Sequence, residues 1–482
     1  MPTLTDQIVS TLPAREKDVI ARLIEWLRIP SISTDPKYAP DVRRAAEWCA
    51  AQLRLAGLPT VELRETGTTA KPGHPIVWAH HPGPSGYAGP HVLFYGHYDV
   101  QPPEPLELWE SPPFEPVIRP AAGDVGERVV ARGAVDDKGQ VATFVEALRA
   151  WKDFSGAGAP AGCPIKLSVL IEGEEESGSK NLYDYCDQHA AELKQADICV
   201  ISDTGMLQRG HPAITYGVRG LCYTEVILHA ADQDLHSGLW GGRCPNPISE
   251  LTKVLSQLWD ANRRITLPGF YDKVLEPTPA ERTAWSQLPF SAAEALKKIG
   301  LGTEADVGEA GWNATEREWA RPTAEINGIW GGYMGPGSKT VIPAFAGAKV
   351  SFRLVANQDP NEVEKQFKQW LDARTPPGCR WEFKRHSGGF AGNVSIDNPY
   401  LHAAARALEQ VAGKKPHLIK SGGSIPVVGV LKNKLGLDTL LIGFGLDDDR
   451  VHSPNEKFEL SCLRLGLNAH TRLLGEFAGM KK

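Results

Sequence analysis

Apolar positions along the first two hundred residues fall into two alternating periods. Near the start, Val19, Ile20, Leu23, Ile24 and Leu27 recur at helical spacing; residues 40 to 57 (PDVRRAAEWCAAQLRLAG) open on proline, close on Gly57 and keep that period between. Short β-branched runs predict strands at 60 to 64, 75 to 80, 91 to 96, 129 to 132, 165 to 171 and 197 to 202, with helices near 139 to 151 and 179 to 194. This alternation predicts an α/β sheet with helices on both faces.

From residue 213 the pattern changes. AITYGVRGLCYTEVILHA reads as two strands, residues 246 to 262 as a helix, 339 to 355 as strands, PNEVEKQFKQWLDAR as a second helix and CRWEFKRH as a last strand. That order predicts an α+β, ferredoxin-like layer, interrupted by a polar, Trp-containing stretch at 263 to 322 with no clear period. After Gly388 and Gly389 the first pattern returns: a helix over 398 to 413, a strand over 438 to 445 and a closing helix over 460 to 478. The chain is therefore expected to have two domains, an α/β domain built from 1–212 and 388–482 and an inserted domain at 213–387.

Composition narrows the partners. With 482 residues, 42% hydrophobic and 23% charged, the chain suits a large folded core, and a net charge of -6 without a basic block argues against nucleic acid or an anionic membrane surface. Small molecules or peptides remain. Eight scattered cysteines with no CxxC pair read as reduced packing residues, and the opening segment lacks a secretion signal or membrane span, so a cytoplasmic location is expected.

Candidate chemistry collects just past apolar segments. LIEGEEESGSKN (170 to 181) puts Glu174, Glu175 and Glu176 at the carboxyl end of a predicted strand, the edge where open α/β sheets bind ligands. LFYGHYDVQP, VVARGAVDDKG, CVISDTG and DDRVHSPNEKF place His97, Asp99, Asp136, Asp137, Asp203 and His452 at comparable positions. Each motif alone is weak: a Glu run is usually a solvated loop, and Asp-Asp before Lys a charged turn. Imidazole and carboxylate donors together suit Zn²⁺ or Mn²⁺, and the absence of a Cys set argues against a structural zinc finger.

In order and wording these motifs resemble the zinc-dependent metallopeptidase family of carnosine-type dipeptidases, aminoacylase, acetylornithine deacetylase, succinyl-diaminopimelate desuccinylase and glutamate carboxypeptidase. The dipeptidase branch is closest, through GHYDVQP, RGAVDDKG, EGEEESGS, DLHSGLWGG, GSKTVIPA, FRLV, GGSIPV and HSPNEK. The resemblance implies two divalent ions per chain, Zn²⁺ before Mn²⁺, with His97 and Asp203 on one, Glu176 and His452 on the other, and Asp136 bridging. It also implies a cis peptide between Asp136 and Asp137. Glu175 is then the general base, Asp99 orients His97, and Glu174 occupies a variable position. From the inserted domain, a lid and dimerisation domain in this family, His236 would stabilise an oxyanion in the partner subunit of a homodimer. Arg353, inside a predicted strand, either pairs structurally or meets a substrate carboxylate; the resemblance favours the carboxylate, with Thr340, Gly423 and Ser424 completing recognition. The dipeptidases carry Arg-Glu before the glycine pair where this chain has Lys420 and Ser421.

Three functions stay in view: a dipeptidase acting on short peptides with a free carboxylate, an N-acyl amino-acid deacylase or desuccinylase using the same centre, and a non-catalytic binding scaffold. Retention of an unliganded base at Glu175 argues against the scaffold.

Overall fold

A computed structural model describes residues 2–156 and 162–481. The chain divides into two compact units, one running to Tyr216 with Val394–Ile419 and the residues from Val430, the other comprising Gly217–Asn393 and Lys420–Gly429.

The first unit is built on a mixed sheet whose strands run in the order Thr60–Arg64, Ile76–Pro82, Lys166–Glu172, His91–His97, Ile198–Ile201, Thr439–Leu441, Ala213–Val218. The four central strands are parallel; those flanking them are antiparallel. Every residue of His91–His97 and Ile198–Ile201 is buried, so both faces of the centre are covered. Helices Leu12–Leu27, Lys138–Asp153, Pro399–Ala412 and Leu460–Ala478 pack on one another around it. Their ends follow local chemistry: Asn398 accepts from the Tyr400 amide to start one helix, and Gly413 closes it at φ 68°. Parallel strands put all their carboxyl ends on one edge.

The second unit holds a four-stranded antiparallel sheet in the order Thr323–Gly331, Phe345–Leu354, Gly220–His229, Arg380–Gly389. With helices Pro247–Leu255 and Pro360–Asp372 it runs strand, helix, strand, strand, helix, strand, the split β-α-β pattern. Gly220–His229 alternates buried and half-buried residues. Its inner set, Cys222, Val226 and Leu228, packs with Val350, Phe352, Phe367 and Trp370.

Several expectations shift. Ala213–Val218 joins the main sheet through Thr215 and Leu441, so only the second half of AITYGVRGLCYTEVILHA belongs to the smaller layer. The helix expected to run to 262 ends as Pro247–Leu255 and a short 3-10 turn, because Trp259 turns back to bridge Ile265. The strand expected over 438 to 445 is only Thr439–Leu441; beyond it a Cβ on Gly443 would stand 1.9 Å from the Thr204 carbonyl oxygen, so the chain closes against the segment carrying Asp203. The stretch from 263 to 322 forms three helices, Pro279–Ser286, Ala292–Lys298 and Ala314–Trp319, the first and last started by capping boxes. All eight cysteines are free and six are buried. Among the described residues no helix is long and apolar enough to cross a membrane.

Candidate metal centre

Four loops at the carboxyl edge of the main sheet deliver the donors. His97 ends its strand, Asp203 lies two residues beyond Ile198–Ile201, and Glu176 sits in the 3-10 turn Glu175–Ser177 just after Lys166–Glu172. Asp136 precedes helix Lys138–Asp153 across a cis peptide to Asp137. His452 comes from the loop before Lys457–Glu459 and holds a left-handed backbone, φ 58°. Asp136 faces both imidazoles: Oδ1 lies 3.1 Å from His97 Nε2 and Oδ2 lies 2.8 Å from His452 Nε2. Asp203 Oδ2 stands 3.7 Å from His97 Nε2, and Glu176 Oε2 3.3 Å from His452 Nε2. Within each of the sets His97, Asp136, Asp203 and Asp136, Glu176, His452, the ligating atoms lie within 4.8 Å of one another.

The donor chemistry fits two divalent cations. Each set offers one imidazole and two carboxylates, and a carboxylate shared by its two oxygens suits ions about 3.5 to 4 Å apart. Electrostatics point the same way. Burial, then the Asp136 charge, lifts Asp203 to about 7, and burial with the charges of Asp203 and Glu176 raises Glu175 well above the carboxylate range. Burial opposes a proton on His97, but Asp136, Asp99 and Asp203 outweigh it and hold its pKa well above the usual imidazole value; Asp136 and Glu176 bring His452 to about 10.

A pH dependence follows. With raised pKa values both imidazoles keep their protons at neutral pH until cations displace them, so metal affinity rises with pH. At least two protons per chain should be released on filling both sites at pH 7, one from each imidazole and a fraction from Asp203. Calorimetric titration in two buffers of different ionisation enthalpy measures this; release of fewer than one proton would contradict the assignment.

The three adjacent acids behave differently. Glu176 faces His452, and its carboxylate also accepts from Gln101 Nε2 at 2.8 Å. Glu174 turns away: it accepts from the His74 amide and from both the amide and side chain of Asn181, anchoring the start of helix Lys180–Gln188. Glu175 belongs to neither donor set. Asp99 supports both His97 and Glu176: its main-chain carbonyl oxygen lies 3.1 Å from His97 Nδ1, with its Oδ1 at 3.3 Å, and its Oδ2 accepts from the Glu176 amide at 3.1 Å.

Gln101 and Glu456 are contributors that the sequence reading did not single out. Glu456 is fully buried and accepts from the amides of Gly133, Val135 and Asp136 and from Arg132 Nη1, at 2.8 to 3.1 Å. It thereby ties the His452 loop to the segment bearing Asp136. A glutamate four residues after a candidate ligand, inside HSPNEK, was the available signal.

The remaining candidates lie in the second unit. His236 is exposed and caps the short helix Ser237–Trp240: Gly238 N donates to its Nδ1 at 3.0 Å, which leaves the neutral ring's proton on Nε2. Thr340 is its neighbour, since the Ser237 amide donates to the Thr340 carbonyl. Arg353 Nη1 donates to Ser424 Oγ at 2.8 Å, and Gly423 lies beside Ser424 in the same turn. Ser424 is the side-chain partner of Arg353, and no carboxylate pairs with it among the described residues. Lys420 instead bonds Glu281 at 2.9 Å and lies over the Trp285 ring.

Residues 93–476 match the model of Peptidase family M20/M25/M40. The chain belongs to that family. It is 30% identical over 485 residues to the Cys-Gly metallodipeptidase dug1 of Schizosaccharomyces pombe, covering 98% of each chain. It is 30% identical over 476 residues to the Beta-Ala-His dipeptidase of Mus musculus, covering 94% of this chain and 92% of that one. Among solved structures, the M20 family metallo-carboxypeptidase Sso-CP2 from Sulfolobus solfataricus superposes with a TM-score of 0.79 at 31% identity, over 96% of this chain and 99% of that one. This M20 chain is a hydrolytic enzyme of the dipeptidase branch.

Proposed function

We propose that this chain is a metal-dependent dipeptidase that hydrolyses dipeptides or short peptides ending in a free carboxylate. The observation that carries it is Asp136, one oxygen toward each of two His-carboxylate sets, with Glu175 beside them and outside both. Two ions, Zn²⁺ before Mn²⁺, would be held by His97, Asp136 and Asp203 and by Asp136, Glu176 and His452. Bound there, such ions polarise a carbonyl and acidify water. Glu175, outside both donor sets and ionised once cations offset the neighbouring negative charge, takes a proton from the attacking water and returns it to the leaving amine as the C–N bond breaks. Asp99 holds His97 in orientation through Nδ1. His236, with its proton on Nε2, donates to the developing oxyanion of a partner copy, and the Arg353 fork holds the substrate carboxylate with Thr340, Gly423 and Ser424 around it.

In this reading the α+β unit is the inserted lid and dimerisation domain, the working form is a homodimer, and its compartment is the cytoplasm. The names of the relatives support dipeptides over N-acyl amino acids, while the centre's chemistry serves both. Metal-stripped protein reloaded with Zn²⁺, Mn²⁺ or Co²⁺ and assayed against both substrate classes decides between them. Dipeptide turnover is expected to exceed N-acyl amino-acid turnover by at least about tenfold, a difference of 1.4 kcal/mol in transition-state binding; the reverse preference would make the enzyme a deacylase.

A further inference from the structure

The geometry points to Arg219 as the residue that positions the carboxylate-recognition turn, and through it Arg353, so that specificity for a free C-terminal carboxylate depends on a side chain outside the motifs assigned above. The inference rests on the reading of Arg353 as the carboxylate anchor.

Arg219 follows the last residue of Ala213–Val218, between the two strands of YGVRGLC. It grips the turn Ser421–Ser424 twice: its backbone amide donates to Gly423 O at 3.0 Å and its Nε to Gly422 O at 2.8 Å. Nη1 reaches Thr323 Oγ1 at 3.5 Å, and Thr323 pairs across the sheet with Arg353 itself. The turn adds its own brace, Gly423 N to Ser421 Oγ at 3.1 Å, and its last residue accepts from Arg353. The chain of contact therefore runs from Arg219 through two carbonyls to Ser424 and on to the Arg353 guanidinium. Gly422 shows how closely the parts fit: a Cβ there would stand 2.9 Å from Arg219 Nη2 and 2.7 Å from Glu318 Cγ.

The electrostatic arrangement is costly for a purely structural clamp. Arg219 and Arg353 line one cleft of about 610 Å³, and no carboxylate lies within ion-pair distance of Arg219 among the described residues. Burial brings the Arg219 pKa down to about 10, with the Glu318 charge opposing and the Arg353 charge adding, so it remains cationic at neutral pH. Glu318 and Glu325 in the same lining offset part of this positive charge, and an incoming carboxylate would offset more. A neutral donor would hold the turn without that charge; a cation favours a turn poised beside an incoming carboxylate.

The experiment uses the full-length, metal-loaded enzyme and a dipeptide with a free C-terminus. Alongside kcat and KM, it measures Ki for a reduced-bond (CH₂–NH) dipeptide as free acid and as C-terminal amide. Arg219→Lys keeps the charge and the backbone bond to Gly423 O, but its single ammonium cannot hold Gly422 O and reach Thr323 Oγ1 together. It is expected to raise KM and the acid's Ki about 10- to 100-fold, with kcat and the amide's Ki within about twofold of the parent. In an Arg353→Gln background the same change should add almost nothing, because the two act through one contact. Gly422→Ala, which crowds the turn without removing any charge, should reproduce the loss of acid preference and serves as the test should Arg219→Lys not fold. Acid and amide weakening together, or effects that multiply in the double variant, would overturn the inference. Arg353→Gln alone judges the underlying reading: an unchanged acid-to-amide ratio there shows that the carboxylate anchor lies elsewhere, whatever Arg219 does.

Discussion

Glu175→Gln is expected to bind both ions normally and to lose at least about 10² in kcat. The substitution keeps the size of the side chain and removes only its capacity to accept and return a proton. Because Glu175 lies outside both donor sets, metal content should not change. That separation is the informative part: Glu176→Gln, which alters a candidate ligand beside His452, should lower metal affinity as well as rate. Metal analysis after dialysis and turnover at saturating dipeptide measure the two quantities independently. Near-normal kcat in Glu175→Gln would remove it from the mechanism, and loss of metal would make it a ligand.

His236→Ala is expected to retain both metals and lose about 10² to 10³ in kcat, the range for removing one oxyanion donor. The prediction draws on an exposed imidazole whose Nδ1 is occupied by the Gly238 amide, leaving Nε2–H free to donate. In the proposed homodimer, this donor would meet the oxyanion in a second copy of the chain, related by closed two-fold symmetry. Mixing isolates this idea. His236→Ala and Glu175→Gln chains are each nearly inactive, but a mixed dimer restores one centre with an intact base from one subunit and an intact His236 from the other. Recovered activity supports donation between subunits. Verified heterodimers as inactive as either parent would confine His236 to its own chain or to no catalytic part.

How much of this was legible in the sequence follows from the range of the interactions involved. The parallel strands announced themselves because they are buried on both faces and read as continuous apolar runs; His91–His97 and Ile198–Ile201 lie where the pattern put them. Strands set by distant partners did not: Thr439–Leu441 stops early because of Thr204, and Ala213–Val218 goes to the larger sheet, which no local period records. At the centre, His97, Asp136, Glu176, Asp203 and His452 come together as the resemblance implied. Glu456 escaped notice because its role is to accept from main-chain amides, and amides carry no side-chain signature. The Glu174 anchor was equally silent, since its partners His74 and Asn181 belong to no motif.

The Glu456 grip also sets a timetable for synthesis. The carboxylate that fixes the Asp136 amide lies 320 residues further along the chain, which at ribosomal speeds of about 5 to 20 residues per second is roughly 15 to 60 s of elongation. During that interval the nascent chain already carries His97, Asp136, Glu176 and Asp203, yet lacks both His452 and the acceptor that shapes the Asp136 segment. With the proposed centre, chains released before His452 and Glu456 are made should be inert and poor in metal.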